Sequence, residues 1–557
     1  MTTPVPLFRY VCAASAVLFG CASLMGQAIP VIRTDAGVVS AANYTPADFP
    51  GGAIAQGSIF VIFGSGLGPA SVLSATSFPL QTTLGGVSVA VTQGATTVNA
   101  LPLYVYSGQV AAIMPSNAPL GIVQVTLTYQ GQTSAPATAQ VGTTNVALFT
   151  VPSSGMGPGA AQDFVNGPLP VNSLTSPAKP GQVVILWASG LGASLNGDDA
   201  NAPQAGSFPI SVNVSLGTSH LSASYGGRSG CCAGEDEIVF TIPQDGPFGC
   251  HVPVQIVTFP GGTPSNVATL AISPDGGPCS DPVNPFGQAL KGKNGGVLLT
   301  RASVTVGSGA LAMNAAADFG AAIFRNDTDT LYVFSPLYSL PPTGTCNVFL
   351  DAGNAFVGSP IQGLTGAGSG LDAGVLSVSN GAANVELDSA AGLYGGLLAS
   401  AVQGSNPLFL TGGSYTVSGA GGADVGPFSA VLGDAPTVTW STSDQSSVVT
   451  RSAGLTLNWT PGANAANLIA LIMGGNADTP DNRSEVFLCT ANAAAGTFTV
   501  PSAILSRVPA TRNGGGSLGL LGVGMLPVQP QATFHAAGLD YGFADSLAVT
   551  AQYVTFQ

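Results

Sequence analysis

Gly57-Ser58-Ile59-Phe60-Val61-Ile62-Phe63-Gly64-Ser65-Gly66-Leu67-Gly68 reads as a buried strand running into a glycine turn. The run of five apolar residues is short enough for a strand, and the glycines allow the tight reversal that follows it. The same text returns 124 residues later as Gly181-Gln182-Val183-Val184-Ile185-Leu186-Trp187-Ala188-Ser189-Gly190-Leu191-Gly192. Two copies of one strand and turn, at that separation, mean two copies of one folding unit.

The match extends outward from the motif. Each copy continues into an alternating strand, Val87-Ser88-Val89-Ala90-Val91 in the first and Ile210-Ser211-Val212-Asn213-Val214-Ser215-Leu216 in the second. Strict alternation gives a strand with one buried and one wet face. Met114-Pro115 with Pro119-Leu120-Gly121 parallels Ile242-Pro243 with Pro247-Phe248-Gly249. Then come Val123-Gln124-Val125-Thr126-Leu127-Thr128 and Val254-Gln255-Ile256-Val257, and each copy closes on a further strand near 134–141 or 265–272. Six or seven short strands per copy suit a small two-sheet sandwich.

A strand ending in Gly-Ser-Gly-Leu-Gly at the start of such a unit resembles the immunoglobulin-like IPT/TIG domain. The paired arrangement is closer still to an uncharacterised family of secreted acidobacterial proteins. The stretches Ser40-Ala41-Ala42-Asn43-Tyr44, the Pro79-Leu80 start of 79–91 and Tyr106-Ser107-Gly108-Gln109-Val110 carry that resemblance. It covers residues 38–275 and implies a fold and an exported protein, with no assigned activity. The second copy departs from the first by adding Cys231, Cys232 and Cys250; Ile122 stands where the second copy has Cys250.

Residues 283–557 continue the β pattern in Tyr415-Thr416-Val417-Ser418, Leu455-Thr456-Leu457-Asn458-Trp459-Thr460 and Thr497-Phe498-Thr499-Val500, with glycine clusters at 419–422 and 513–516 between them. Residues 502–507 suit a short helix ended by Pro509. The block 450–459 with Cys489 and 496–501 resembles a module of the same group of secreted proteins, without an implied function. The expected fold class is all-β: tandem immunoglobulin-like sandwiches followed by one or two further β-sandwich modules. The expected boundaries are 1–28 signal peptide, 38–145 and 146–275 for the two copies, 283–435 for a β-rich domain and 436–557 for a C-terminal sandwich.

Composition agrees. The 557 residues are 45% hydrophobic and only 7% charged, with 76 Gly and 41 Pro. Glycine and proline at that density break long helices but permit short strands joined by turns. Twelve Lys+Arg against 26 Asp+Glu give a net charge of −14 and no basic stripe, so nucleic acid is excluded as a partner.

The first 28 residues carry one positive charge at Arg9, an apolar run over 10–25, and Gly26-Gln27-Ala28, which fits signal-peptidase cleavage. No later segment has the 18 apolar residues of a spanning helix. Export to the outside of the cell is expected. Leu18-Phe19-Gly20-Cys21 resembles a lipobox, with Phe19 a poor fit, and keeps a lipid anchor on Cys21 as the lesser alternative. Cys12 and Cys21 leave with the signal, and Cys231, Cys232, Cys250, Cys279, Cys346 and Cys489 remain. An even count in an exported chain reads as disulfides. Neighbours Cys231 and Cys232 are expected to pair outward with Cys250 and Cys279, leaving Cys346 with Cys489. A zinc site would need C-x2-C spacing, which these cysteines lack.

Several stretches imitate chemistry. Residues 61–68 look like a dinucleotide fingerprint, but no helix pattern follows Pro69 to hold a pyrophosphate. Gly515-Gly516-Ser517-Leu518-Gly519 matches a nucleophile elbow, yet His535 precedes Asp540 and Asp545, the wrong order for that fold. The other histidines are His220 and His251. Glu235-Asp236-Glu237, Asp198-Asp199 and Asp327/Asp329 are candidate acid pairs for glycoside hydrolysis. With Asp478, Asp481 and Glu485 they are also candidate calcium ligands, though none forms an EF-hand loop. Their polar surroundings read as solvated loops. Trp187, Trp440 and Trp459 are candidates for stacking on sugars; Trp459 falls in phase with Leu455 and Leu457, which reads as core.

No catalytic residue, cofactor or metal is expected. The favoured function is a non-enzymatic secreted or cell-surface array with a structural, adhesive or ligand-binding role toward a surface or polysaccharide. The alternatives are an array of carbohydrate-binding modules and an extracellular hydrolase with its site in 283–557.

Overall fold

The computed structural model describes residues 29–165, 167–194, 199–260, 262–281, 284, 292–306, 313–327, 339–351, 369–402, 407–443, 447–462, 464–478, 483–512 and 517–557. The signal segment, Asp198, Asp329, Asp481, Gly515 and Gly516 lie outside them.

Each repeat copy is a two-sheet sandwich. In the first, Ile59–Ser65 pairs with Gln109–Ile113, which pairs with Leu101–Tyr106 and then Leu73–Ser74. The facing sheet runs Ile54–Ala55, Ala137–Gly142, Gly121–Tyr129, Val87–Gln93, and Val87–Gln93 also carries Thr96–Asn99 and the short Thr83–Leu84. The second copy repeats this order with Val183–Ser189, Asp236–Thr241, Tyr225–Arg228 and Gly206–Ser207 in one sheet, and Gly157–Pro158, Ala268–Ile272, Gly249–Phe259, Ser211–Leu216 and Ser219–Ser222 in the other. In both, a two-residue leading strand pairs parallel to the closing strand, while the other pairs in each sandwich are antiparallel. The repeat legible in the motif is therefore a repeat of topology.

The alternation predicted for the edges of the cores holds. Val87, Val89 and Val91 are fully buried, as are Val214 and Leu216. The continuous apolar run Ile59–Ser65 has a different cause. Phe60 and Ile62 enter the sandwich core, whereas Ile59 and Val61 enter a second cluster under Val39, Tyr44 and Phe149. A strand covered on both faces has no reason to alternate.

Residues 293–556 are organised by one 15-stranded sheet. Tyr541–Phe556 lies parallel to Lys293–Val306, which forms a hairpin with Met313–Asn326; on its other edge it pairs with Ser517–Pro527. Cys346–Asp351 joins the far edge beside Arg483–Asn492. The expected division at 435/436 thus runs through a shared sheet, which is a correction to two self-contained modules. The reason is strand length. Sixteen residues at 3.3 Å each reach roughly 50 Å, enough to serve two cores in succession. Ala544 packs with Phe324, Phe428 and Phe534, while Val554 and Phe556 pack with Leu457, Trp459 and Phe487.

Over the first core the sheet curls back, and Phe428 stacks on Phe534 at 4.3 Å between ring centroids. Over the second, a three-stranded sheet of Thr439–Trp440, Leu455–Thr460 and Thr497–Val500 faces it. The short helix Ser502–Leu505 adds Ile504 and Leu505 to that core. Among the described residues no helix is long and apolar enough to cross a membrane.

Candidate functional site

Chemistry-bearing side chains gather at two junctions: between the two copies, and between the first copy and the C-terminal sheet.

At the first junction the motif of one copy meets the motif of the other. Gly57, at φ +73°, opens the first motif, and a Cβ there would crowd the carbonyl of Gly192, which closes the second. Ser189 Oγ joins the copies: it accepts the N–H of Ile59 at 3.0 Å and donates to the carbonyl of Gly234 at 2.7 Å. Asp199 reaches back across the same seam, where its carboxylate accepts both the N–H and the hydroxyl of Ser116 at 2.6 Å. Between these contacts lies a cavity of ≈ 200 Å³ bordered by Ser194, Asp199, Asn201, Gln204, Arg228 and Gly234.

Behind that cavity sits a buried charge pair. Asp236 is 0% exposed, and Oδ2 accepts the N–H groups of Gly190 and Leu191 at 2.8 Å each. Arg228 Nη1 stands 2.9 Å from Asp236 Oδ1, and Nη2 donates to Gly192 O at 3.0 Å. Burial pushes the Asp236 carboxyl up to about 6, with Arg228 and the two amides pulling the other way.

The second junction centres on Arg507. Its guanidinium lies 2.9 Å from Glu485 Oε1, with both side chains 2% exposed. It also donates to Thr45 Oγ1 and to Pro264 O at 3.4 Å each, so one side chain touches the first copy, the second copy and the C-terminal sheet. Burial pushes the Glu485 carboxyl up to about 7 against the pull of Arg507. Beside it is a cavity of ≈ 480 Å³ bordered by Asp48, Gln140, Arg451, Asn476, Arg512 and Ser517. Arg512 Nη2 bonds Asp48 Oδ2 at 2.7 Å across its rim.

The six cysteines form three bridges: Cys231–Cys232, Cys250–Cys279 and Cys346–Cys489. The neighbours pair with each other, which corrects the outward pairing expected of them. Their loop joins Tyr225–Arg228 to Asp236–Thr241 in one sheet of the sandwich, whereas Cys250 opens Gly249–Phe259 in the other. Sheets stack about 10 Å apart and a bridge needs Cα atoms within about 7 Å, so the core separates them.

The imitated motifs fall to structure. Leu67, inside the fingerprint-like turn, is a 0% exposed core residue, and the chain goes on to the strand Leu73–Ser74 rather than a helix. Ser517 opens the strand Ser517–Pro527 and its Oγ accepts the N–H of Arg512, which is not the strand-to-helix setting of an elbow. Trp440 and Trp459 are 6% and 3% exposed in the core, and Trp187 donates to Gln162 from a half-buried position. His220 sits on an exposed strand beside Ser215.

The solvated-loop reading of the carboxylates fails for Asp236, Asp327 and Glu485, each buried beside an arginine. A carboxylate in a polar stretch can still be interior when a cation and backbone amides receive it. Sequence reasoning missed those arginines and also Ser189. A signal existed: with twelve Lys+Arg in the chain, Ser506-Arg507-Val508 next to a short apolar helix places a rare cation where nothing calls for a solvated one.

No family model matches the chain, and no curated protein matches it. Among solved structures, a tetra-tandem repeat from the extending region of a large adhesion protein is 11% identical, covering 94% of this chain and 99% of that one, at a TM-score of 0.14. Domains 5–6 of the S-layer protein SbsC are 13% identical over 44% of this chain and 99% of that one, also at 0.14. Immunoglobulin domains 1–4 of Sidekick-1 are 9% identical over 93% and 99%, at 0.10. Likeness at these scores carries no inference about function; the tandem all-β architecture rests on the strand pairing itself.

Proposed function

We propose that this chain is a non-enzymatic extracellular protein whose packed sandwiches present junction clefts for adhesion or ligand binding. The supporting observation is the pair of cavities at the seams, ≈ 200 and ≈ 480 Å³, of which the larger falls in the size range of small-molecule sites. The kinship of 38–275 with IPT/TIG-like domains of secreted acidobacterial proteins, cleavage after Ala28, and the limits 38–145 and 146–275 expected for the two copies belong to the same proposal. Three disulfides accord with an oxidising compartment.

Burial of Trp440 and Trp459 removes the stacking platforms that an array of carbohydrate-binding modules would have used there. The Asp318 carboxylate is taken by Arg301 at 2.7 Å and by the N–H groups of Phe409 and Leu410 at 2.7 Å, a structural use rather than a hydrolytic one. A glycan array probed with the mature chain tests the binding role, and a clean negative removes its polysaccharide version. Release of reducing ends from any polysaccharide on the array would overturn the non-enzymatic reading.

A further inference from the structure

The three disulfides differ in what they restrain. Cys250, Cys279, Cys346 and Cys489 are at most 6% exposed, and their bridges span sequence separations of 29 and 143 residues. Bridges of that reach stabilise a fold by restricting the unfolded chain. Cys231–Cys232 joins neighbours and restricts almost nothing. Its loop is closed without it: the N–H of Ser229 donates to the carbonyl of Glu235 at 2.9 Å, and the N–H of Glu235 to the carbonyl of Cys232 at 3.2 Å. Cys231 is exposed and Cys232 half-buried, beside Ala233 and Gly234 on the border of the smaller cavity. A bridge within reach of solvent is open to attack by an outside thiol, where the two buried bridges are shielded.

Two neighbours give the bridge a direction and a preference. Ser229 Oγ donates to Cys231 Sγ at 3.1 Å while it accepts the N–H of Cys231, also at 3.1 Å. Ser229 is fully buried, so its hydroxyl is held in that place. A donor on sulfur stabilises the thiolate, which makes Cys231 the better leaving group and Cys232 the receiving sulfur. A Glu235 carboxylate oxygen lies within 4.8 Å of both sulfurs, and Glu237 follows two residues on. The cation nearest in sequence, Arg228, is already engaged by Asp236 at 2.9 Å. The charge facing an incoming thiol is therefore negative, which attracts a cationic thiol and repels an anionic one.

We propose that Cys231–Cys232 is a thiol-exchange site for an aminothiol, a thiol carried beside a protonated amine, with Cys232 receiving the incoming sulfur and Cys231 leaving under the Ser229 hydroxyl. The incoming thiolate attacks Cys232 Sγ and the bridge breaks. Its electron pair passes to Cys231 Sγ, which takes up a proton equivalent to the one the thiol lost to solvent. One thiol and the bridge become a mixed disulfide on Cys232 and a free thiol on Cys231, with no net oxidation. The Cys231 thiol stands next to the new bond and can reverse the step, so capture is reversible. The main-chain bonds that close the loop take no part, which keeps the site in place through the cycle. This covalent contact goes beyond the surface role proposed above and does not depend on it.

The test exposes the full mature chain to cysteamine, mercaptoethanol or mercaptopropionate, traps free thiols with N-ethylmaleimide, and locates every adduct by peptide mass spectrometry. Each rate is divided by the same thiol's rate on a small neutral disulfide, which removes its intrinsic reactivity. The expected product carries the thiol on Cys232 and the maleimide on Cys231, with the two buried bridges intact. On the corrected scale cysteamine should exceed mercaptopropionate by about fivefold, with mercaptoethanol between them, and added salt should narrow the gap. Glu235→Gln should shrink that gap by about threefold and leave the mercaptoethanol rate unchanged. Ser229→Ala should divide the adduct between the two sulfurs; if that variant does not fold, the adduct's position in the unaltered chain decides the direction. No adduct on either sulfur, or a buried bridge opening as fast, overturns the exchange site. Mercaptopropionate keeping pace with cysteamine overturns the preference for an aminothiol, and an adduct mainly on Cys231 overturns the direction of exchange.

Discussion

The first copy secures its glycine turn with main chain, the second with a buried charge. In the first, the N–H of Leu67 donates to the carbonyl of Ser107 at 3.0 Å. In the second, the N–H groups of Gly190 and Leu191 both go to the Asp236 carboxylate, and Arg228 then holds Asp236 and Gly192 together. Turn sequence and strand order are shared, so the same demand for acceptors has been met in two ways. A carbonyl is neutral and comes with the chain. A carboxylate has to be dehydrated and partnered, and it ties the turn to pH and to one other residue.

Four perturbations test this contrast, taken from the largest expected effect to the smallest. Asp236→Ala leaves Arg228 buried without its partner and should destabilise the second copy by about 3–5 kcal/mol. Hydrogen exchange should register this in Val183–Ser189 and leave Ile59–Ser65 protected; equal loss in both copies would show that they do not differ in this way. The double variant Arg228→Met, Asp236→Leu should recover part of that loss, since apolar replacement of both partners leaves no orphaned charge.

Gly190→Ala should cost about 3 kcal/mol, because a Cβ there would drive into the carbonyl of Asn145. Gly66→Ala should cost about 1 kcal/mol: its φ is +64°, but nothing lies within 4 Å of the added carbon. Thermal melts of the two variants side by side decide the matter, and a reversal of their order would break the comparison.

Acidity should separate the copies by roughly 1–2 kcal/mol. Two buried carboxyls in the second copy, Asp163 and Asp236, are pushed up to about 6 by burial. A raised carboxyl contributes stability that is whole below the unfolded value near 4 and is lost as pH rises through about 6. His251 in the same copy, pushed down to about 4 by burial, runs the other way and offsets one of the two. The net expectation is a second copy more stable at pH 4.5 than at pH 7.5 beside a flatter first copy, followed by limited proteolysis at both values. Asp163→Asn should shrink the difference.

Ser189→Ala removes the bond that Ile59 sends across the seam, together with the one from Ser189 to Gly234 behind it, and should loosen the copies by about 1–2 kcal/mol. Small-angle scattering of the variant would then report a broader range of inter-copy angles, and an unchanged profile would assign the seam to Asp199 and Ser116 instead.

Much of the fold was legible because the cues were local. Alternation at 87–91 and 211–216 reports one buried face, and the repeated Gly-Leu-Gly turn reports a reversal. The long sheet of 293–556 was hidden for the opposite reason. Residues 294–299 of Lys293–Val306 are buried on both faces, as are 322–325 of Met313–Asn326, so the period of two that marks a half-buried strand is confined to 318–322. Pairing of Lys293–Val306 with Tyr541–Phe556 also joins residues nearly 250 apart, which no local pattern announces. Of the junction clefts the sequence offered single letters only: Asp236, Glu485 and Asp199 were visible as carboxylates, but their partners Arg228, Arg507 and Ser116 lie on other elements. Cys346 and Cys489 face each other in neighbouring strands, whereas the adjacent cysteines bridge locally, with the sandwich core between them and Cys250.

Arg507 and Arg512 reach from the last stretch of the chain to Thr45 and Asp48 near the start of the first copy. Linked this way, the modules are wired in a loop rather than strung in a line. A pull applied to the first copy against the C-terminal sheet would be carried by this clasp before it reached the connectors between sandwiches. Its weakest member is the exposed Arg512–Asp48 pair and its strongest the dry Arg507–Glu485 pair. Under load the molecule would therefore yield first at the seam that frames the larger cavity, lengthening by opening there while each sandwich stayed intact.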